Sequence, residues 1–352
     1  MWGGFAAYLG VLALAPRLGR RPIWTAIVVL VAAFACLPPL LSHDVYSYVD
    51  YARLDVLHGL NPYLHAPAAA KADPAFVDVT WKSTASAYGP LFTLITYPLA
   101  WIPVEAAVYA IKAISAAAVL ATAYLVAHLA PPRGIDPTRA AVFVALNPLV
   151  LVHVVGGPHN DSLAVLLVTL GIAAVLSLRE ATGGATLVLA LAVKAPASIA
   201  APFALLGSAR RGRFLLGSLL AAVVIGLIAT ATFGHHWLNS FALASENQGR
   251  TSYMSIPITT ARLTGLDPDA VRTTALALYA LLVIHLLTWT YRGGDWLRAT
   301  AWATTGLLLA TSWLLPWYLL WPLPLAALSR DRLLQLLLLA LTAYQLGARI
   351  PL

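Results

Sequence analysis

The sequence has little charge. Only 10% of its 352 residues are Asp, Glu, Lys or Arg, against 60% hydrophobic, whereas about a quarter of a soluble domain carries charge. So few charged side chains cannot cover a water-facing surface, which excludes a soluble fold and leaves an all-α polytopic membrane protein. Cysteine is nearly absent. Cys36 is the single one and lies inside an apolar run, so neither an intrachain disulfide nor a thiolate metal site is available, and packing must hold the fold. Acidic residues are scarce too, 14 against 22 basic. That surplus would suit nucleic acid, but the basic residues sit in short clusters between apolar runs, as the positive-inside rule requires, and this argues against a nucleic-acid partner. There is no internal repeat, inverted-repeat symmetry or low-complexity tail. Residues 1–15 lack a basic n-region and a small-residue cleavage site, so they read as a short or tilted first crossing, not a signal peptide.

The basic clusters orient the chain. With Arg17, Arg20, Arg21, Arg133, Arg139, Arg179, Arg210, Arg211, Arg213, Arg292, Arg298, Arg330 and Arg332 placed in the cytoplasm, the apolar run 23–41 points outward. Residues 42–102 then form a long first extracytoplasmic loop with interfacial helices. Within it, Val45, Tyr48, Val49, Ala52, Val56 and Leu60 fall at helical spacing, with Asp44, Asp50 and Asp55 elsewhere. That pattern predicts an amphipathic helix over 44–59 lying on the membrane surface and stopped by Asn61-Pro62. Residues 91–102 are too short to span. Residues 105–130 run inward, 140–155 outward and 163–178 inward. The run between Arg179 and Arg210 must make an even number of passes, so it splits at Lys194-Ala195-Pro196 into half-length helices over 185–193 and 197–206, with Lys194 at the tip. Residues 214–233 lead to a second extracytoplasmic loop over 235–265, holding His235, His236, Glu246, Asn247, Gln248, Arg250 and Arg262. Further runs over 270–291 and 299–315 and two short ones bring the total to about 11–12 passes of a single domain, 1–352.

This topology gathers His43, Asp44, His159, Asn160, Asp161, Lys194, Arg250 and Arg262 on the outer side. An acid at the membrane boundary beside cations suits a substrate with a phosphate headgroup on a lipid tail. Each residue also has a plainer reading. Asp44 and Asp161 are well placed to cap the helices that follow them, His159 and Asn160 to be loop polarity, Lys194 to snorkel, and Arg250 to be a solvated loop charge. His43 with Asp44, or His159 with Asp161, offers too few ligands to define a metal site. The aromatic residues, including those at 313–318, read mostly as membrane belt or core.

The motifs Asp44-Val45-Tyr46-Ser47-Tyr48, Gly59-Leu60-Asn61-Pro62-Tyr63, Tyr88-Gly89-Pro90-Leu91, Asn147-Pro148-Leu149, Gly156-Gly157-Pro158-His159-Asn160-Asp161 and Val193-Lys194-Ala195-Pro196 follow one another in an order that resembles the bacterial polyprenol-phosphate-mannose-dependent α-mannosyltransferases of lipomannan-type lipoglycans, members of the GT-C superfamily. Residues 37–206 carry the resemblance, and 313–321 share in it. It implies a GT-C-type helical bundle in the plasma membrane with its active site on the extracytoplasmic side. It also implies a catalytic acid at Asp44 and a second acidic loop at Asp161. The expected reaction is inverting transfer of mannose from a polyprenyl-phosphate donor to a glycan or glycolipid hydroxyl, with Asp44 as general base. Lys194, Arg250 and Arg262 are the expected donor-phosphate ligands. His43, Tyr48, Tyr88, His159, Asn160 and Asp161 are the expected sugar or acceptor ligands. No cofactor is required, and a divalent metal is not supported. The alternatives are another polyprenyl-phosphate sugar, such as arabinofuranose or glucose, on the same scaffold, or a lipid or sugar transporter or flippase, for which broken helices with midplane charges are also expected.

Overall fold

The computed structural model describes residues 2–246 and 249–347, and among these every regular element is helical, as expected for an all-α membrane protein. Asn247 and Gln248, part of the second predicted loop, lie outside the described residues. Helices α1 (Trp2–Leu18) and α2 (Arg20–Cys36) are joined at Gly19, whose φ of 76° is a conformation that favours glycine. Pro38 and Pro39 prevent α2 from continuing. Next comes α3 (Asp44–His58), the predicted amphipathic helix. It ends at Gly59, in the left-handed region at φ 66°, where Gly59 N–H donates to Asp55 O at 3.0 Å and Leu60 N–H to Leu54 O at 2.9 Å. These paired bonds stop the helix before Asn61-Pro62 is reached.

The environment of α3 differs from the prediction. Val45, Tyr48, Val49 and Ala52 are buried as their spacing requires, but Ser47, Asp50, Tyr51 and Leu54 are buried too. The chain after Gly59 folds back over the helix instead of leaving it on a bilayer surface. Tyr51 Oη donates to Thr84 O at 2.7 Å, and Arg53 Nε donates to Asp73 Oδ1 at 2.8 Å.

Helix α4 (Pro90–Thr96) is followed by α5 (Val104–Leu129), α6 (Pro137–Ala145) and a wide turn over Val150–Gly156. The predicted outward run thus breaks at Asn147-Pro148, and its halves are bent by 62°. Helices α7 (Asp161–Leu176) and α8 (Glu180–Val193) pack side by side. Lys194 is extended (φ −155°), and α9 (Ala200–Gly207) returns toward the start of α10 (Arg211–Phe233). The start of α8 is held close to α10: a Cβ on Gly217 would lie 1.9 Å from Ala181 O, and one on Gly184 2.2 Å from Phe214 O. Lys194 therefore sits at the tip of a hairpin, as predicted. The chain closes with α11 (Asn239–Glu246), α12 (Ile256–Thr264), α13 (Pro268–Tyr291), α14 (Trp296–Ala310), α15 (Leu323–Leu328) and α16 (Arg332–Gln345).

By length and composition α5, the run Arg211–Leu243 and α13 can each cross a membrane, with the bent pair as a fourth span. The other apolar helices are shorter than the ~20 residues that a full crossing needs. Three or four spans therefore qualify among the described residues, where the sequence reading has about 11–12 passes, and the other predicted runs are short helices. Exposed leucines on α10 (Leu215, Leu219, Leu227) and α13 (Leu278, Leu281) give these helices faces suited to lipid and not to water.

Candidate functional site

Four of the sequence motifs meet at one end of the bundle. Gly89 N–H donates to Val193 O at 3.2 Å, and a Cβ on Gly89 would lie 2.1 Å from Ala192 O. The Tyr88-Gly89-Pro90 corner is thus pressed against the end of α8, which places Lys194. Leu40 N–H donates to Gly156 O at 3.0 Å, and a Cβ on Gly157 would lie 2.2 Å from Leu40 O. This contact places the segment before Asp44 against the loop that leads to Asp161. Behind that loop Lys112, buried in α5, donates to Gly156 O at 2.5 Å, and Ser115 Oγ donates to Val154 O at 2.7 Å.

These contacts frame an open cleft of about 150 Å³. His43, Asp44, Tyr88, Lys194 and Arg250 line it, together with Trp81, Trp313, Trp317, Tyr318 and Trp321. Asp44 is the first residue of α3, and its side chain caps no helix; Oδ1 accepts from Trp81 Nε1 at 3.2 Å. Its other oxygen lies 3.5 Å from His159 Nδ1, too far for a hydrogen bond of good geometry. Burial raises the Asp44 carboxyl above its ordinary value, and the Trp81 hydrogen bond and the Lys194 charge only partly oppose this.

Asp161 begins α7 and likewise caps nothing with its side chain. It is fully buried, accepting from Lys194 Nζ at 2.6 Å and from Trp321 Nε1 at 2.6 Å. Lys194 Nζ also lies 3.3 Å from Asn160 Oδ1 and rests over the rings of Tyr318 and Trp321 at 5.3 and 5.9 Å. Arg250 stacks on Trp81 at 4.7 Å, on the side chain that holds Asp44.

The predicted residues therefore divide. Asp44, His43, Tyr88, Lys194 and Arg250 share the cleft. His159, Asn160, Asp161 and Tyr48 are buried behind its wall, where they hold the lining side chains and have no open face toward a sugar. The His159 ring stacks on Trp317 at 3.7 Å, and burial, reinforced by the Lys194 charge, pushes its pKa well below the ordinary value. Tyr48 packs edge-on against Tyr88 at 4.8 Å. Arg262 is outside the cleft, stacked on Tyr253 at 3.7 Å. It lies in the last turn of α12.

Sequence reasoning missed the indoles. Trp81 and Trp321 each donate to one of the two key carboxylates, and the residues at 313–318, read as belt, form a wall of the cleft. Except for Trp81, their one signal was the resemblance over 313–321. Among the described residues no three His, Cys, Asp or Glu side chains are grouped to hold a metal. His43 is engaged elsewhere, its Nδ1 lying 3.1 Å from Asp78 O.

Residues 2–210 match the family described as alpha-(1->6)-mannopyranosyltransferase, N-terminal domain. That segment carries Asp44, Trp81, Tyr88, Asp161 and Lys194; Arg250 and the 313–321 wall follow it. The chain is 31% identical over 326 residues to alpha-(1->6)-mannopyranosyltransferase A of Mycobacterium tuberculosis, an alignment covering 82% of this chain and 61% of that protein. It is 32% identical over 189 residues to the protein of the same name from Corynebacterium glutamicum, covering 52% of this chain and 37% of the relative. A probable alpha-(1->6)-mannopyranosyltransferase of Mycolicibacterium smegmatis is 30% identical over 154 residues, 42% of this chain and 27% of its own length. The chain thus spans less than two thirds of each of these relatives. With the family match running through both carboxylate loops and the Lys194 hairpin, the chain belongs to the alpha-(1->6)-mannopyranosyltransferase family.

Proposed function

We propose that the protein transfers mannose, with inversion, from a polyprenyl-phosphate donor to a hydroxyl of a glycan or glycolipid acceptor on the extracytoplasmic face of the plasma membrane. The observation that carries this reading is the single cleft in which the Asp44 carboxylate and the cations Lys194 and Arg250 share a wall. Asp44 takes the proton from the acceptor hydroxyl. The freed oxygen attacks C1 of the sugar as the C1–O bond to phosphate breaks, and the electron pair leaves with the polyprenyl phosphate. That leaving group is already an anion, so it needs positive charge and not a proton, which is the role of Lys194 and Arg250.

Two further features support the assignment. Burial that raises the Asp44 carboxyl makes its carboxylate a stronger base. Beside Lys194 a narrow apolar crevice adjoins the cleft, and Lys194, Pro196 and Trp321 line both. Its remaining walls, among them Ala164, Val168, Ile199 and Leu325, suit the first isoprene units of a lipid whose phosphate meets Lys194. Trp317, Tyr318 and Trp321 line the cleft beside Lys194. Mannose and the 1→6 linkage rest on the names of the relatives. The scheme gives no step to a metal.

The test is transfer by the purified protein in detergent, with no membrane gradient, from a panel of radiolabelled polyprenyl-phosphate sugars. A new glycosidic bond from the mannose donor alone supports the reading. A product only from arabinofuranose or glucose changes the sugar, and no product with any donor favours a transporter or flippase.

A further inference from the structure

A second cavity lies at the opposite end of α2 from the cleft, about 25 Å away by the length of that 17-residue helix. It is an open hollow of about 170 Å³ between the start of α2, the end of α5 and the start of α6, and Arg20, Trp24, Tyr124, His128 and Thr138 line it. Each of these side chains carries a hydrogen-bond donor: guanidinium, indole, phenol, imidazole or hydroxyl. Among the described residues none of the five makes a side-chain hydrogen bond or an ion pair with protein. Their contacts with one another are ring against ring. Tyr124 lies parallel to His128 at 6.3 Å and tilted against Trp24 at 6.4 Å.

No carboxylate lines the cavity. Asp136, close by in sequence, is occupied in capping α6, accepting from Arg139 N at 2.7 Å. Arg17 and Arg21 flank Arg20 in sequence and add positive potential. A wall of unpaired donors in a positive field calls for an anion with several acceptor oxygens.

The surroundings point to a lipid as its source. Tyr124 is 54% exposed, and one turn beyond Trp24 the outer face of α2 exposes Val28 and Val29 at 47% and 58%. Trp and Tyr at this depth mark the headgroup level of a bilayer, and the valines beyond them mark its hydrocarbon. We propose that this cavity binds the phosphodiester of an anionic glycerophospholipid, with the acyl chains running along the exposed face of α2. The site is independent of the transfer reaction and lies at the other, Arg-rich end of the bundle.

The experiment is native mass spectrometry of the full chain released from bilayers that mix phosphatidylglycerol and phosphatidylcholine in equal parts. The unmodified protein should retain phosphatidylglycerol at least fivefold over phosphatidylcholine. Arg20→Gln should reduce that preference, and Arg20→Gln with His128→Gln should abolish it. Arg17→Gln, which changes a neighbouring charge outside the cavity, should reduce it less than Arg20→Gln does. Arg20 and His128 are both exposed, so the fold survives their replacement, and unfolding temperatures in phosphatidylcholine alone verify this. Equal retention of the two lipids, undiminished preference in the double variant, or the same loss in Arg17→Gln would overturn the proposal. Millimolar inorganic phosphate should not displace the lipid, because it has no chains to lay on α2; complete displacement would make the site one for free phosphate and would also overturn it.

Discussion

The indole N–H of Trp81 donates to Oδ1 of Asp44 at 3.2 Å, across 37 residues of sequence. The bond opposes the burial that raises the carboxyl's pKa, and it holds the carboxylate's orientation. Trp81→Phe keeps a ring beneath Arg250 and removes the donor. The Asp44 carboxyl should then titrate higher, so the acidic limb of the pH–rate profile moves to higher pH. Turnover above that limb should fall about tenfold, as expected for a lost hydrogen bond to a charged group, with a smaller change in the KM for donor. An acidic limb that does not move would show that the bond does not tune Asp44.

Lys194 and Asp161 form a pair whose carboxylate is fully buried. Lys194→Met leaves that charge with only the Trp321 N–H, and breaking a buried pair from one side costs roughly 3–5 kcal/mol. A lower unfolding temperature and loss of transfer are both expected. Adding Asp161→Leu removes the stranded charge and should restore the unfolding temperature without restoring transfer. Recovery of transfer in the double variant would remove Lys194 from the chemistry.

Asp50 is buried in α3, and neither carboxylate oxygen has a hydrogen-bond partner. Burial, and then the charge of Asp73, raise its pKa from 3.8 to about 7, with His58 and Arg53 opposing. A carboxyl raised on folding favours the folded state below its unfolded value and loses that contribution as pH climbs toward its folded one. Stability should therefore decline between pH 4 and 7, by a few kcal/mol in order of magnitude. Asp50→Asn should raise the unfolding temperature clearly at pH 8 and little at pH 4.5. Equal shifts at the two pH values would refute the assignment.

Gly89 touches the end of α8 so closely that Gly89→Ala must displace either α4 or the Ala192 carbonyl. Because the same contact places Lys194, transfer should fall at least tenfold with the KM for donor raised. Gly212→Ala, where a Cβ meets nothing within 4 Å, should have no such effect.

Much of this arrangement is legible in the chain. The 44–58 periodicity marks α3, Lys194-Ala195-Pro196 marks the break, and the positions of the arginines bring Asp44, Lys194 and Arg250 to one end. The indole partners of the carboxylates are not legible, because a tryptophan in a membrane belt and one that holds an acid have the same sequence context; Trp321 and Asp161 are 160 residues apart. The burial of Asp50 is not legible because its cover comes from segments that follow Gly59 and fold back over α3, and not from its own helix. Arg262 was grouped with Arg250 by proximity in sequence, yet α12 turns it toward Tyr253.

The most direct measurement is transfer of radiolabelled mannose from polyprenyl-phosphate mannose by the purified protein and by its Asp44→Asn variant, with donor binding measured alongside. If Asp44 is the base, the variant binds donor as the unmodified protein does and forms product at least a thousandfold more slowly. Transfer within a few fold of the unmodified protein would contradict the assignment.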